Sequence, residues 1–88
     1  MKNIGILGST GSVGKQALEV ARNHKDKFKI KFIAAHSSVD ELIKQSQEFS
    51  PEYICIYDES KYDQLKNNVN TKNILVGHNG LMELCELS

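Results

Sequence analysis

Four short apolar runs alternate with four segments of helical periodicity, and this alternation constrains the fold of the 88-residue chain more than any other feature. The apolar runs are residues 3–8, 28–35, 53–57 and 73–76. Strict β-α alternation is typical of a parallel sheet with helices packed on its faces. We therefore predict one small α/β domain with a Rossmann-like parallel sheet of about four strands and helices on both faces. The fourth strand can lie beside the first strand or beyond the third.

Apolar residues at helical spacing predict which side of each helix faces the core. The S-x-x-E pattern from Ser38 to Glu41 predicts a capping box at the start of the second helix, and Asp58 is expected to cap a short third helix. The expected inner positions are Val13, Ala17, Val20, Ala21 and His24 in the first helix, Val39, Leu42, Ile43, Ser46 and Phe49 in the second, and Leu81, Leu84, Cys85 and Ser88 in the last.

The composition does not favour a nucleic-acid-binding, membrane or metal-binding protein. The formal net charge is zero, which gives no reason to expect a nucleic acid or a membrane surface as partner, and no apolar run is long enough to span a bilayer. Cys55 and Cys85 lie in apolar contexts without metal-like spacing, so we expect buried reduced thiols in the cytoplasm. We find no catalytic set and no metal ligands in the sequence.

Three glycines form a G-x-x-G-x-x-G pattern, Gly8, Gly11 and Gly14, directly between the first strand and the first helix. At this place in a dinucleotide-binding fold, glycines let the chain reverse, let the backbone approach a pyrophosphate and let the helix pack on the strand. The helix N-terminus then offers N–H groups to the phosphates, and Thr10 and Ser12 can add hydroxyl donors. The alternative is a tight turn whose small residues serve packing alone.

The loop after the second strand, His36, Ser37 and Ser38, lacks the carboxylate that an NAD-preferring fold places there to bind the ribose 2′-hydroxyl. Its hydroxyls and the following helix N-terminus therefore favour NADP over NAD, although no Arg or Lys is present to pair with a 2′-phosphate. Two alternatives stay open: Ser38 can be a helix cap or a ligand contact, and His36 can be a ligand contact or an ordinary loop residue.

Three strings, ILGSTGSVG at residues 6–14, FSPEY at 49–53 and VGHNGL at 76–81, resemble the 1-deoxy-D-xylulose 5-phosphate reductoisomerase family. The resemblance covers essentially the whole chain. It implies cofactor contacts at Thr10, Gly11, Ser12 and Val13, next to Gly8, and at the loop His36, Ser37 and Ser38. That loop departs from the family's common Gly-(Lys/Arg)-Asn pattern, because Ser37 stands where a cation is usual.

The resemblance also implies the activity of the parent enzyme. The family rearranges and reduces deoxyxylulose phosphate to methylerythritol phosphate in isoprenoid biosynthesis, uses NADPH and a divalent metal (Mg or Mn), and works as a homodimer. Its metal ligands, substrate-phosphate site and lid lie beyond residue 88. We therefore expect residues 1–88 to be the amino-terminal part of the NADP-binding domain, inactive alone, and cytoplasmic or in a plastid-type organelle.

Two other functions stay open at this point. One is a different NADP-dependent oxidoreductase with a looser form of the glycine turn, such as a semialdehyde dehydrogenase. The other is a nucleotide-sensing module without catalysis.

Overall fold

The computed structural model describes residues 2–71 and 73–87 and confirms the β-α alternation. Its elements, in chain order, are β1 (Lys2–Leu7), α1 (Ser12–Asn23), β2 (Phe28–Ala35), α2 (Val39–Phe49), β3 (Tyr53–Ile56), a 3-10 turn (Glu59–Lys61) that continues into α3 (Tyr62–Lys66), β4 (Asn73–Val76) and α4 (Gly77–Leu87).

The four strands form one parallel sheet in the order β1-β2-β3-β4. The fourth strand therefore lies beyond the third, which decides between the two positions that the sequence left open. Because all strands run the same way, their carboxyl ends and the loops that follow them meet at one edge of the sheet. That edge is where ligands bind in open α/β folds.

Helices cover both faces of the sheet, as predicted, and each face has its own apolar cluster. The larger cluster joins the sheet to α1, α2 and α3 through fully buried side chains such as Leu18, Leu42 and Leu65. The smaller cluster joins Phe32, Ala34 and Cys55 of the sheet to Leu84 of α4. Among the described helices, none is both long and apolar enough to span a bilayer.

A register shift in β2 decides which side chains reach each cluster. Ile4 pairs with Ile30 and Gly5 pairs with Phe32, so Lys31 is an extra residue and the two strands form a bulge. Sequence alternation predicts Phe32 on the same face as Ile30, but the bulge moves it to the opposite face. The Phe32 ring then covers Gly5, where a Cβ would lie 2.0 Å from the ring.

The predicted inner face of α1 is correct at the buried Ala21 and the partly buried Ala17, but wrong at Val13 and Val20. Val13 is 81% exposed and Val20 is 53% exposed, whereas Gly14 and Leu18, which were not predicted, are buried. His24, the last predicted position, is also exposed. The reason is Gly14. Because glycine has no side chain, a pattern built on apolar side chains does not place it on the inner face. The helix turns Gly14 towards the backbone of Gly8 and Ser9 and leaves Val13 in solvent.

The second helix begins where predicted, but its capping box does not form. Ser38 is the N-cap residue with ψ of 69°, not the extended value that directs a serine hydroxyl to the helix amides, and its side chain makes no capping hydrogen bond in the described structure. Glu41 instead forms an ion pair with Lys15 of α1, at 3.3 Å. Asp58, in contrast, accepts a hydrogen bond from the Ser60 N–H as predicted.

In the last helix, the prediction that Leu84 is buried is confirmed, and the prediction that Cys85 is buried is wrong. Cys55 is 1% exposed, as expected, but Cys85 is exposed. Cys85 directly follows Leu84, so the helix turns it about 100° away from the buried stripe. Leu81 is partly buried against the smaller cluster, and Ser88 lies outside the described residues.

Candidate functional site

The turn between β1 and α1 is held to the sheet by backbone hydrogen bonds. Gly8 has φ of +68°, a left-handed conformation that favours glycine. The Ser9 N–H donates to the Ala34 carbonyl oxygen of β2 at 2.9 Å, and the Gly11 N–H donates to the Gly8 carbonyl oxygen at 3.0 Å. The turn is therefore a fixed structure at the carboxyl edge of the sheet.

Gly14 brings α1 into direct contact with this turn. A Cβ at Gly14 would lie 2.2 Å from the Gly8 carbonyl oxygen and 2.7 Å from the Ser9 Cα. Both are backbone atoms, so no side-chain rotation can make room for even one methyl group. This contact accounts for the third glycine through close packing of the helix, one of the three reasons predicted for the pattern.

The fold does not require a glycine at position 11 in the same way. Its φ of −80° and ψ of 170° are open to any residue, and a Cβ there would lie 3.4 Å from the Gly8 oxygen, an ordinary contact distance. Gly11 is the N-cap of α1, and the first turn of that helix reads Ser-Val-Gly-Lys, without an acid. The helix N-terminus is therefore open to an anion.

The loop after β2 is exposed and is fastened to the loop after β3. The Asp58 N–H donates to the His36 carbonyl oxygen at 2.8 Å. The His36 ring stacks on Tyr57 with 5.2 Å between centroids, and His78 meets Tyr57 edge-on at 6.4 Å. Because the Ser38 hydroxyl makes no capping bond in the described structure, it is available to a ligand at this rim.

Two neighbouring hollows connect the glycine turn with this loop. A cleft of about 340 Å³ extends from Gly8 to His36 and Tyr57, with Cys55 on its floor. A second hollow of about 460 Å³ shares Gly8 with the first and includes Gly11, Ser12 and Val13. The structure thus brings most of the predicted cofactor residues to one continuous surface.

The remaining predicted cofactor residues adjoin these hollows. Ser37 and Ser38 continue from His36 along the exposed rim, and Thr10 is half-buried within the glycine turn. Ligand contact by any of the predicted residues stays a prediction.

Three residues at or beside this surface were not predicted as site residues. Tyr57 contacts His36 and His78 contacts Tyr57, and these contacts follow from the strand order, which periodicity does not reveal. Gln45 was absent from the predicted inner face of α2, yet it is buried and its amide contacts the glycine turn. Its only sequence signal is its position one turn after Glu41, on the side of α2 that faces α1.

The ionisable groups near the cleft have identifiable states. Burial raises the pKa of the Cys55 thiol to about 11, so the cleft floor carries no thiolate at neutral pH. The Ser60 hydroxyl and N–H both donate to Asp58 and hold the pKa of that carboxyl below its usual range. Within residues 2–71 and 73–87, no group of three or more His, Cys, Asp or Glu lies together as a metal site.

Comparison with known proteins identifies the family of this chain. Residues 4–88 match the family model for 1-deoxy-D-xylulose 5-phosphate reductoisomerase. The chain belongs to this family. The reductoisomerase of Thermodesulfovibrio yellowstonii is 47% identical over 87 residues, which are 99% of this chain and 23% of that protein. The apicoplastic reductoisomerase of Plasmodium falciparum is 43% identical, over 94% of this chain and 19% of the relative.

A solved structure of the family shares the fold. It is described as DOX-P reductoisomerase in complex with NADPH, fosmidomycin and magnesium, and it is 34% identical with a TM-score of 0.85 over 94% of this chain and 21% of its own. The present chain therefore spans about a quarter or less of the length of these reductoisomerases. The match does not favour a semialdehyde dehydrogenase.

Proposed function

We propose that this chain binds NADPH as the dinucleotide-binding part of a 1-deoxy-D-xylulose 5-phosphate reductoisomerase. In this proposal the pyrophosphate lies against Gly8, Thr10, Gly11, Ser12 and Val13, at the N-terminus of α1. The adenosine end with its 2′-phosphate lies at the loop His36, Ser37 and Ser38. The family membership and the cleft that runs from Gly8 to His36 support this orientation.

The single observation that carries the proposal is Gly11. Its backbone conformation and its surroundings allow a Cβ, so the fold does not require a glycine at this N-cap. A ligand does account for it, because a phosphate that accepts hydrogen bonds from the helix amides must approach the backbone where that Cβ would project. The absence of an acid from residues 12–15 leaves the helix dipole free to favour the phosphate.

For the whole enzyme, we propose the family reaction: rearrangement and reduction of deoxyxylulose phosphate to methylerythritol phosphate. NADPH, when bound, supplies the hydride for the reduction. The described residues of this chain bind and orient the nucleotide, and we assign none of them to the catalytic step or to a divalent metal. We further propose residues 1–88 as the amino-terminal part of the NADP-binding domain, a homodimer as the working state, and a location in the cytoplasm or a plastid-type organelle.

A nucleotide titration tests the proposed site. The longest protein that the gene encodes is titrated with NADPH and with NADH, and backbone amides are followed by NMR. Both nucleotides are expected to shift the amides of residues 10–13, and NADPH alone those of residues 36–38. Tight NADPH binding that leaves both segments unchanged would place the cofactor elsewhere, and the absence of any binding would contradict the proposal itself.

A Ser37→Arg substitution is expected to raise the ratio of NADPH to NADH affinity by about tenfold, the contribution of one charge-assisted contact to a phosphate. Ser37 is exposed in the loop of residues 36–38, which contains no Lys or Arg. Calorimetric dissociation constants for both nucleotides measure the ratio. Asn70→Arg adds the same charge before β4, at the opposite edge of the sheet, and is expected to leave the ratio unchanged. If the ratio of NADPH to NADH affinity is the same in both variants, the 2′-phosphate does not bind at this loop.

A further inference from the structure

A buried glutamine connects α2 with the glycine turn. Gln45 is 6% exposed, and its Nε2 donates a 2.8 Å hydrogen bond to the carbonyl oxygen of Ser9, itself fully buried. Two exposed ion pairs join α2 to α1 on either side of it, Lys15 with Glu41 and Arg22 with Glu48. Gln45 thus lies between the two helices, beside a surface hollow, and its amide reaches the turn from the side of α2.

This hydrogen bond fixes the direction of one peptide group in the turn. The described peptide bonds are trans, so the carbonyl of Ser9 and the N–H of Thr10 lie in one plane and point in opposite directions. Gln45 holds the carbonyl towards α2, and the Thr10 N–H therefore points away from α2. The N–H groups of Ser9 and Gly11 already donate to Ala34 and Gly8. Among residues 9–11 of the described structure, Thr10 is the one whose backbone N–H has no acceptor.

A gain in folding stability does not explain why the polar side chain of Gln45 is buried. In the described part of the chain, the Gln45 Oε1 and the Ser9 hydroxyl are buried with no hydrogen-bond partner. Burying polar atoms without partners opposes folding, and an apolar side chain of similar size would avoid part of that penalty. A polar residue at this position is accounted for by what its one donor does, which is to orient the Ser9 peptide.

We propose that Gln45 is a positioning residue for ligands that carry a pyrophosphate. It holds the Ser9–Thr10 peptide so that the Thr10 N–H joins the first amides of α1 in one concave set of donors. The inference rests on the proposed nucleotide site and adds a residue that does not touch the ligand. It also gives α2 two roles, since the same helix begins at the loop proposed for the 2′-phosphate.

Gln45→Met tests this role, because it keeps the length of the side chain and removes the donor. In the longest protein that the gene encodes, we expect NADPH binding to weaken about tenfold, the loss of one well-directed hydrogen bond to a phosphate. Binding of adenosine 2′-monophosphate, which has no pyrophosphate, is expected to stay unchanged. Gln47→Met is the matched control, since Gln47 is exposed on the same helix and donates to Asn68 instead of the turn. It is expected to change neither affinity.

The outcomes separate this inference from the proposed function. Wild-type protein that does not bind NADPH refutes the nucleotide site. If the wild type binds NADPH and Gln45→Met binds it equally well, the role of Gln45 is refuted and the nucleotide site is not. The same holds if Gln45→Met loses affinity for NADPH and for adenosine 2′-monophosphate by equal factors. Should Gln45→Met not fold, NMR of the wild-type protein can still overturn the inference. NADPH, and not adenosine 2′-monophosphate, must move the Thr10 amide proton downfield, and an unmoved Thr10 amide overturns the proposal.

Discussion

Replacing Gly11 with aspartate is expected to weaken NADPH binding severely while leaving the folded chain at least as stable as the wild type. The backbone at Gly11 already has the extended N-cap conformation in which an Asp side chain accepts hydrogen bonds from helix amides. Such a cap, together with a negative charge at the helix N-terminus, stabilises a helix by about 0.5–1 kcal/mol. The same carboxylate occupies the amides that a pyrophosphate needs and repels its charge, so affinity should fall by about a hundredfold or more.

This substitution is informative because it should leave stability equal or higher while lowering the affinity for NADPH. Thermal unfolding measures stability, and calorimetric titration with NADPH measures affinity. Asn23→Asp adds the same charge at the exposed carboxyl end of α1 and is expected to retain binding, with a slightly lower unfolding temperature because the dipole there has the other sign. If Gly11→Asp binds NADPH as well as wild type does, the phosphates do not lie at this N-terminus.

The local elements of this fold were predictable because each depends on neighbours in sequence. The bounds of β2 and β4 agree with the predicted runs, and α2 ends before Pro51. Their signals are short apolar runs closed by polar residues, glycine or proline, and these act within a few residues. The order of the strands was not predictable in this way, because periodicity does not say which strand lies beside which.

The errors and omissions come from contacts between distant residues. The bulge at Lys31 changes the face of Phe32 and depends on the space above Gly5 in another strand. The contact from Gln45 to Ser9 joins residues separated by 36 positions. For the site, the glycine pattern predicted where a ligand would bind, but not which glycine serves the ligand and which serves the fold. That distinction needs the surroundings of each Cβ.

Replacing Gly14 with alanine is therefore expected to have the opposite character from the change at Gly11, with a large loss of stability. On an exposed helix, Gly→Ala stabilises by about 1 kcal/mol through helix propensity. At Gly14 the added Cβ would meet the Gly8 oxygen at 2.2 Å and the Ser9 Cα at 2.7 Å. Because both are backbone atoms of a turn bonded to β2, relief requires α1 to move. We expect a net loss of about 2–3 kcal/mol, which lowers the unfolding temperature by about 10–20 °C in a domain of this size.

Gly8→Ala provides the comparison within the same turn. Its φ of +68° disfavours alanine by about 1–2 kcal/mol, but a Cβ there has no heavy atom within 4 Å among the described residues. Thermal unfolding should therefore rank the variants wild type, Gly8→Ala and Gly14→Ala, in order of falling stability, with Gly11→Asp at or above the wild type. A Gly14→Ala variant as stable as Gly8→Ala would mean that α1 can withdraw from the turn at little cost. The N-terminus of α1 would then not be held against the turn by close packing, and the pyrophosphate site would lack the rigid support that the proposal requires.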